Sequence, residues 1–197
     1  PWVPAESLLT DERRSLPAET VHYPPPSNAV RPATTTGLGL GNSVTEALLT
    51  GLYEVIERDA AMLSWYSTFE PLRVAIDDHE RYETLRRRAT SEGLDVTALL
   101  LTQDVDVPVI TVALERDEWP RFALGTDAGL DPGAAAVGAL EEALQNWMEL
   151  DSMGPEAAMD AQGAIGRYAE SPGEAADLTA TETTVPLDSL GPDAALS

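Results

Sequence analysis

The chain has 197 residues, which suits one globular domain or a large piece of a bigger protein. Its 34 acidic and 12 basic residues give a formal net charge of −22, so a surface for nucleic acid is not expected, because phosphate neutralisation needs clustered lysine and arginine. The chain has no cysteine, which excludes disulfides and thiolate metal sites, and no apolar run approaches the roughly 20 residues of a membrane span.

The first third of the chain predicts extended segments that lead into a helix. Residues 1–32 are rich in proline, which disfavours helix and favours strand-like or polyproline segments. Residues 34–42 (TTTGLGLGN), here called the glycine-rich lead, predict turns before a helix at 43–62. Pro71 and the apolar run at 72–76 predict a strand.

The middle of the chain alternates between helix and strand. A helix is predicted at 78–91, ended by Gly93. Two β-rich runs, 96–101 and 107–114, predict a pair of strands joined by a short acidic turn, and residues 122–125 predict a third strand. This order predicts an α/β or α+β domain with a mixed sheet and packed helices.

The last third predicts one long helix and a less regular continuation. Pro132 suits the first turn of a helix at 134–150. We divide the chain into a main domain, 1–150, and an Ala/Glu/Pro/Gly-rich continuation, 151–197. One amphipathic helix is predicted near 157–169, and we expect the last twenty or so residues to be mobile.

Three glutamates of the first long helix lie along one narrow line. Ser43 and Glu46 have the spacing of a capping box, which sets the start of the helix. At 100° per residue, Glu46, Glu54 and Glu57, here called the glutamate line, fall within an arc of roughly 80°. A separate apolar side consists of Val44, Leu48, Gly51, Leu52, Val55, Ile56, Met62 and Leu63.

The glutamate line has two interpretations. It is an ordinary acidic face of a very acidic protein, or it is a row of hard oxygen ligands for Mg²⁺, which in turn carries nucleotide phosphates. Arg58 lies beside the line, where it would contact phosphate or pair with Glu54 four residues earlier. Asp59 falls on the apolar side, and we interpret it as structural.

The glycines before the helix also have two interpretations. Gly37, Gly39 and Gly41 precede a helix N-terminus, where backbone N–H groups can receive an anion. A Walker A loop is excluded because it needs lysine, and the spacing does not match the dinucleotide-binding fingerprint. The preferred interpretation is a flexible approach to the helix.

The run TTTGLGLGNSVTEALLTGLYEVIERDA resembles the signature of the YcaO family, and the likeness continues through VPVITVAL to GLDPGAAAVGALEEALQNW. YcaO proteins use ATP to phosphorylate a peptide-backbone amide oxygen, which leads to an azoline ring or, with sulfide as nucleophile, a thioamide. The resemblance implies that Glu46, Glu54 and Glu57 hold Mg²⁺ and that Arg58 contacts phosphate.

The chain departs from the family pattern at several points. The family has an earlier Glu-x-x-Glu helix that completes the metal site, and a proline-rich C-terminus, and neither is found in this sequence, so we expect a fragment. Gly138 stands where the family often has arginine. Glu142 and Gln145 match the family and are further candidates for metal or nucleotide binding, although an Ala-rich packing helix with a solvated acidic edge is the preferred interpretation.

Three functional hypotheses remain open. The first is the central part of a cytoplasmic, ATP-dependent enzyme that modifies a peptide or protein by cyclodehydration or thioamidation, with a partner protein that delivers substrate or sulfur. The second is a degenerate YcaO domain that binds a peptide or a partner without chemistry. The third is an acidic structural protein whose glutamate line is accidental. A homodimer is compatible with each of them.

The strong negative charge bears on habitat more than on function. A disordered acidic chain is one explanation, but 43% hydrophobic residues in periodic segments favour a folded protein. We interpret the acidic surface as an adaptation to high salt, where screening weakens self-repulsion.

We therefore predict that folding depends on ionic strength. Thermal unfolding followed by circular dichroism should give a markedly higher midpoint in molar KCl than in dilute buffer, because cations screen the acidic surface. Equal midpoints in the two solutions would remove the halophilic interpretation.

Overall fold

Helices and strands alternate along the chain. The computed structural model describes residues 1–27, 29, 34–67, 70–162, 164–173, 179 and 181–191. Its strands are β1 (Trp2–Glu6), β2 (Arg13–Pro17), β3 (Leu72–Ala75), β4 (Asp95–Leu100), β5 (Val109–Glu115), β6 (Phe122–Ala128) and β7 (Thr184–Pro186). Its helices are α1 (Val44–Tyr66), α2 (Glu80–Ser91), α3 (Pro132–Met153), α4 (Pro155–Gln162) and α5 (Ala164–Glu170). None of the helices in these ranges combines the length and apolarity needed to cross a bilayer.

A five-stranded sheet with the order β6-β5-β4-β3-β7 forms the centre of the fold. The pairs β3–β4, β4–β5 and β5–β6 are antiparallel, whereas β3 and β7 are parallel. Strands β1 and β2 form a separate two-stranded sheet within the proline-rich start of the chain. The predicted fold class, a mixed sheet with packed helices, is confirmed.

Helix α3 covers one face of the sheet. The carboxylate of Asp131 caps its start, accepting hydrogen bonds from Gly133 N–H (2.9 Å) and Ala134 N–H (3.0 Å). Its small alanines pack on the β5 residues Ile110 and Val112, which are fully buried. Because alanine keeps the helix close to the sheet, α3 and β6 come into direct backbone contact.

Helix α1 packs on the opposite face of the sheet, through a side that the apolar pattern did not indicate. Ala60 and Ser64 are buried there, and Gln103 Nε2 donates to Ser64 Oγ (3.2 Å). The predicted apolar side is instead largely exposed, with Val44, Leu48, Leu52, Val55, Met62 and Leu63 each more than 40% accessible. Asp59 is exposed as well, so the interpretation of it as a structural residue of a packed side is wrong.

The continuation after residue 150 is more ordered than the sequence indicated. Two helices, α4 and α5, replace the single predicted one, and their residues Ala158 and Ala169 join the core beneath α3. Strand β7 extends the sheet beside β3, where Arg73 Nε donates to Thr181 O (2.7 Å). Residues 192–197, at the end that we expected to be mobile, lie outside the described residues.

We predict that Gly125 is essential to the contact between β6 and α3. A Cβ at this position would lie 2.2 Å from Ala143 N and 2.3 Å from Ala139 O, so Gly125→Ala forces the helix away from the strand. We expect a loss of about 2 kcal/mol or more in the free energy of unfolding, measured by urea titration at high salt.

Gly129→Ala is the matched control, because its Cβ meets nothing within 4 Å. It should leave stability unchanged or slightly raised, since alanine restricts the unfolded chain. If both variants unfold at the same urea concentration, the close approach of β6 to α3 is not a constraint on the fold.

Candidate functional site

Both hydrogen bonds of the predicted capping box form at the start of α1, but one of them has a donor one residue earlier than usual. Ser43 Oγ accepts a hydrogen bond from Glu46 N–H at 3.1 Å. The Glu46 carboxylate accepts from Asn42 N–H at 2.6 Å, one residue before the usual position. Glu46 therefore ties the end of the glycine-rich lead to the first turn of the helix.

The glycine-rich lead packs directly on the backbone of α1. A Cβ on Gly39 would lie 1.9 Å from Ala47 O, and a Cβ on Gly51 would lie 2.7 Å from Gly37 O. Only glycine permits these approaches, so the alternation of glycine and leucine places the glycines against the helix. Leu38 and Leu40, between them, are exposed. The glycines thus have a packing role that the sequence interpretation did not include.

Two of the lead's N–H groups donate to carboxylates of the glutamate line. Gly37 N–H donates to Glu54 Oε2, just as Asn42 N–H donates to Glu46. The second oxygen of Glu54 lies 3.6 Å from Arg58 Nε, which also lies 3.9 Å from Glu57 Oε1. Arg58 thus pairs with Glu54, as one interpretation proposed, while half of its side chain stays exposed.

Glu57 of α1 is close enough to Asp127 of β6 and Glu142 of α3 for their charges to act on it, which places it near the outer edge of the sheet. Because β6 is the end strand of the sheet, no other strand among the described residues pairs with its outward backbone groups. Two side chains of α3 bond to them: Glu142 Oε2 accepts from Thr126 N–H (2.6 Å), and Asn146 Nδ2 donates to Leu124 O (2.8 Å). Only 15% of the Glu57 side chain is accessible in this position.

Glu57, Asp127 and Glu142 are here called the carboxylate cluster, because the charge of Glu142 acts on both of the other two. Desolvation by burial, followed by the charges of Glu142, Asp127 and Glu54, raises the pKa of Glu57 to about 8, although Arg58 acts in the opposite direction. Burial and the charge of Glu142 likewise raise the pKa of Asp127 to about 6, against the hydrogen bond from Ala128 N–H. Strongly perturbed carboxyl groups of this kind are typical of functional sites.

Asp127 is a member of the cluster that the sequence did not reveal. Its carboxylate lies over Gly138 of α3, where a Cβ would stand 1.9 Å from Asp127 Oδ2. Gly138 was noted as a departure from the YcaO pattern, but only the fold brings β6 beneath it. A glycine inside an otherwise alanine-rich helix was the one available signal, since it indicates a close neighbour.

The structure brings some of the candidate residues together and leaves others apart. Glu57 and Glu142 converge, Glu54 lies between Glu57 and the lead, and Glu46 and Gln145 are exposed. Within the described ranges, no group of three potential metal-binding side chains has the spacing to hold an ion. The metal and nucleotide roles of the glutamate line, Arg58, Glu142 and Gln145 therefore stay predictions.

The extent of the family likeness is now clear. Residues 1–193 match the family model of the YcaO cyclodehydratases, which is described as binding ATP and Mg²⁺. The chain belongs to the YcaO family. The match includes the lead, the glutamate line, the carboxylate cluster and most of the continuation after residue 150.

Three known proteins illustrate this membership. An uncharacterised protein of Methanothermobacter thermautotrophicus is 34% identical over 160 residues, which make up 74% of this chain and 40% of that protein. A heterocyclase solved in complex with substrate and cofactor has a TM-score of 0.79 and 26% identity, covering 97% of this chain and 27% of its own. The YcaO protein of Methanopyrus kandleri, solved with AMPPCP and Mg²⁺, has a TM-score of 0.74 and 28% identity, covering 96% and 50%. The chain spans half or less of the length of each.

We predict that the raised pKa of Glu57 makes stability fall with pH. Between 4.5 and about 8 the unfolded chain releases this proton while the folded protein retains it, so stability is greatest below the lower value and declines up to the higher one. After allowance for solvent screening, we expect a loss on the order of 2 kcal/mol.

Two variants of α1 that each remove one negative charge, Glu57→Gln and Asp59→Asn, separate the effect of Glu57 from that of total charge. Urea unfolding at several pH values should show a flatter profile for Glu57→Gln than for the parent. Asp59→Asn, at an exposed position two residues later, should keep the parent's slope. Identical slopes for Glu57→Gln and the parent would contradict the assignment.

Proposed function

We propose that the protein containing this chain uses Mg-ATP to activate a backbone amide of a peptide or protein. The observation that supports the proposal is the carboxylate cluster, in which two helices and an end strand hold three acidic side chains partly out of water. Desolvated carboxylates without sufficient compensating charge are unfavourable in a purely structural setting. They become favourable when a divalent cation neutralises them.

The donor chemistry fits Mg²⁺. This ion prefers carboxylate oxygens and keeps other positions for phosphates and water. Glu57 of α1 and Glu142 of α3 would hold it at the edge of β6. Glu54 has one oxygen bonded to Gly37 N–H and the other beside Arg58, so it could join the metal without releasing the lead. Both oxygens of Glu46 accept from Asn42, one from its N–H and one from its side-chain amide at 3.5 Å, so Glu46 would join the metal only by giving up the second of these contacts. When bound, the metal supplies charge neutralisation for the phosphates of ATP.

The residues around the metal have distinct tasks in this proposal. Arg58 has an accessible guanidinium next to Glu54 and Glu57, where it would contact the nucleotide phosphates. The glycine-rich lead fixes Glu54 through Gly37 N–H and so sets the position of this member of the glutamate line. Glu142 is oriented by Thr126 N–H, which keeps its carboxylate at the edge of β6.

The reaction we propose follows the chemistry of the family. The terminal phosphoryl group of ATP passes to the amide oxygen, a nucleophile adds to the amide carbon, and the oxygen then leaves as phosphate. An internal thiol or hydroxyl nucleophile gives an azoline, and sulfide gives a thioamide. A partner protein would present the substrate or deliver sulfur.

A second candidate is a YcaO domain that binds a peptide or partner without chemistry. It is favoured by the hydrogen bonds that already occupy Glu46 and Glu54, and by Gly138 in place of arginine. In that case the cluster would serve only to attach α1 to α3 through a structural cation.

The proposal predicts the nucleotide binding of the native protein that contains this chain. Calorimetric titration should detect Mg-ATP binding, and both Glu54→Gln and Glu57→Gln should abolish it, because each change removes charge and little volume. The isolated chain, with only part of the family's glutamate set, should bind weakly or not at all.

Asp59→Asn is the control for this experiment, because it removes one charge from an exposed position of the same helix. It should bind Mg-ATP as the parent does. Parent-like binding by Glu54→Gln and Glu57→Gln would identify the glutamate line as ordinary surface. Binding of Mg-ATP without any turnover of peptides would favour the non-catalytic domain.

A further inference from the structure

We propose that a cavity between β3 and β4, here called the strand-gap cavity, is a binding site for a small organic carboxylate. The cavity has a volume of about 180 Å³. Strands β4 and β5 stand between it and β6, so it is separate from the carboxylate cluster. The inference therefore concerns a second site and does not rest on the proposed function.

The strand-gap cavity exists because β3 and β4 pair over only part of their length. Their pairing ends at Arg73 and Leu99, whereas β4 begins four residues earlier, at Asp95. Consecutive residues of a strand point to opposite faces of a sheet. Because Arg73 and Val74 of β3 both line the cavity, together with residues 96–98 of β4, the cavity opens between the strands and not over one face.

The walls of the cavity are positively charged, in contrast to the chain as a whole. Acidic residues outnumber basic ones by 34 to 12 in the sequence. Of the nine residues that line the cavity, however, two are arginines, Arg73 and Arg86, and none is acidic. Arg86 is exposed and donates to Glu83 through hydrogen bonds of 2.8 and 2.9 Å, so its charge is balanced. The charge that is left over belongs to Arg73.

Arg73 is held in place by neutral groups. Its Nε donates to Thr181 O at 2.7 Å, and its Nη2 donates to Thr179 O. Among the described residues no carboxylate forms an ion pair with it, and its side chain is only partly accessible. A guanidinium has five N–H donors in a planar fork, so further donors remain for a ligand, and a carboxylate matches that fork with two parallel hydrogen bonds.

Tyr82 of α2 adds an uncharged donor to the cavity. The residue lines the cavity and is 3% accessible, and within the described part of the chain no group forms a hydrogen bond with its hydroxyl. Burial raises the pKa of Tyr82 to about 12, against the charge of Arg86, so the hydroxyl stays protonated. Buried polar groups normally have a hydrogen-bond partner, and a carboxylate oxygen in the cavity would supply one.

The size and the remaining walls of the cavity indicate an acid with a small apolar body. Val74, Val96 and Ala98 provide apolar surface, and Thr97 and Thr184 add hydroxyl groups. A protein cavity of about 150 Å³ holds one benzene molecule. A cavity of about 180 Å³ thus has room for a ring or a branched chain joined to one carboxylate. Inorganic phosphate would leave the apolar wall uncovered.

The test measures the binding of benzoate to the native protein that contains this chain, with benzamide as the uncharged analogue of the same shape. Saturation-transfer NMR should show saturable benzoate binding, with a dissociation constant on the order of millimolar for so small a ligand. Benzamide should bind at least about tenfold more weakly, because only the carboxylate forms an ion pair with Arg73.

Three outcomes of this titration would overturn the proposal. They are equal affinity for benzoate and benzamide, no saturable binding of benzoate, and binding of inorganic phosphate without binding of benzoate. The first would remove the role of the charge, the second would remove the site, and the third would remove the apolar part of the ligand.

Two variants assign the binding to this cavity. Tyr82→Phe removes the hydroxyl and keeps the ring, and Arg73→Gln removes the charge, so each should weaken benzoate binding about tenfold. Arg88→Gln is the control, because it removes one positive charge from an exposed position of α2 that does not line the cavity. It should stay within about twofold of the parent.

Arg73 also attaches the chain before β7 to β3, so urea unfolding of Arg73→Gln is measured beside its binding. If that variant does not fold, Tyr82→Phe decides the matter alone, since the packing of its ring is preserved. Parent-like benzoate binding by either folded variant would overturn the assignment of the ligand to the strand-gap cavity.

Discussion

The contact between α3 and the end strand β6 is the constraint on which the site depends. Gly125 lets the two backbones touch, so that Glu142 and Asn146 reach the outward backbone groups of the strand. In an ordinary sheet these groups would face water or another strand. Here they orient acidic side chains, and α1 brings Glu57 to the same edge from the other face. The packing of α3 on β6 therefore also determines where the side chains of the site lie.

The glycine-rich lead makes a similar close backbone contact with α1. Its glycines allow the chain to cross the helix at backbone distance, and the crossing positions Gly37 N–H to hold Glu54. The same arrangement turns Leu38 and Leu40 outward, next to the exposed apolar side of α1. In a sequence, a glycine pattern before a helix suggests phosphate binding. In this fold its first effect is to fix a carboxylate.

Local sequence signals predicted where the helices and strands lie better than they predicted which side of each element is packed. Ser43 and Glu46 marked the start of α1 correctly, and Pro132 marked the first turn of α3, which begins at Pro132 itself and not at the predicted 134, because start signals depend on residues a few positions apart. Periodicity showed which side of α1 is apolar, but not which side meets the sheet. Asp127 lies just beyond the strand predicted at 122–125, where no local pattern marked it, and its importance arises only when Gly138 packs on it. Strand β7 is too short for a pattern and exists because β3 pairs with it.

The buried position of Glu57 has a consequence for how the cluster exchanges protons with solution. With a pKa of about 8, this carboxyl group keeps its proton at neutral pH. Under the proposed function, a cation that enters the cluster would have to displace that proton, so metal uptake and proton release would be thermodynamically linked. The apparent affinity for the metal would then increase with pH, and the heat of binding would depend on the buffer that accepts the proton. The edge of β6 would thus exchange protons for metal instead of carrying a permanent charge.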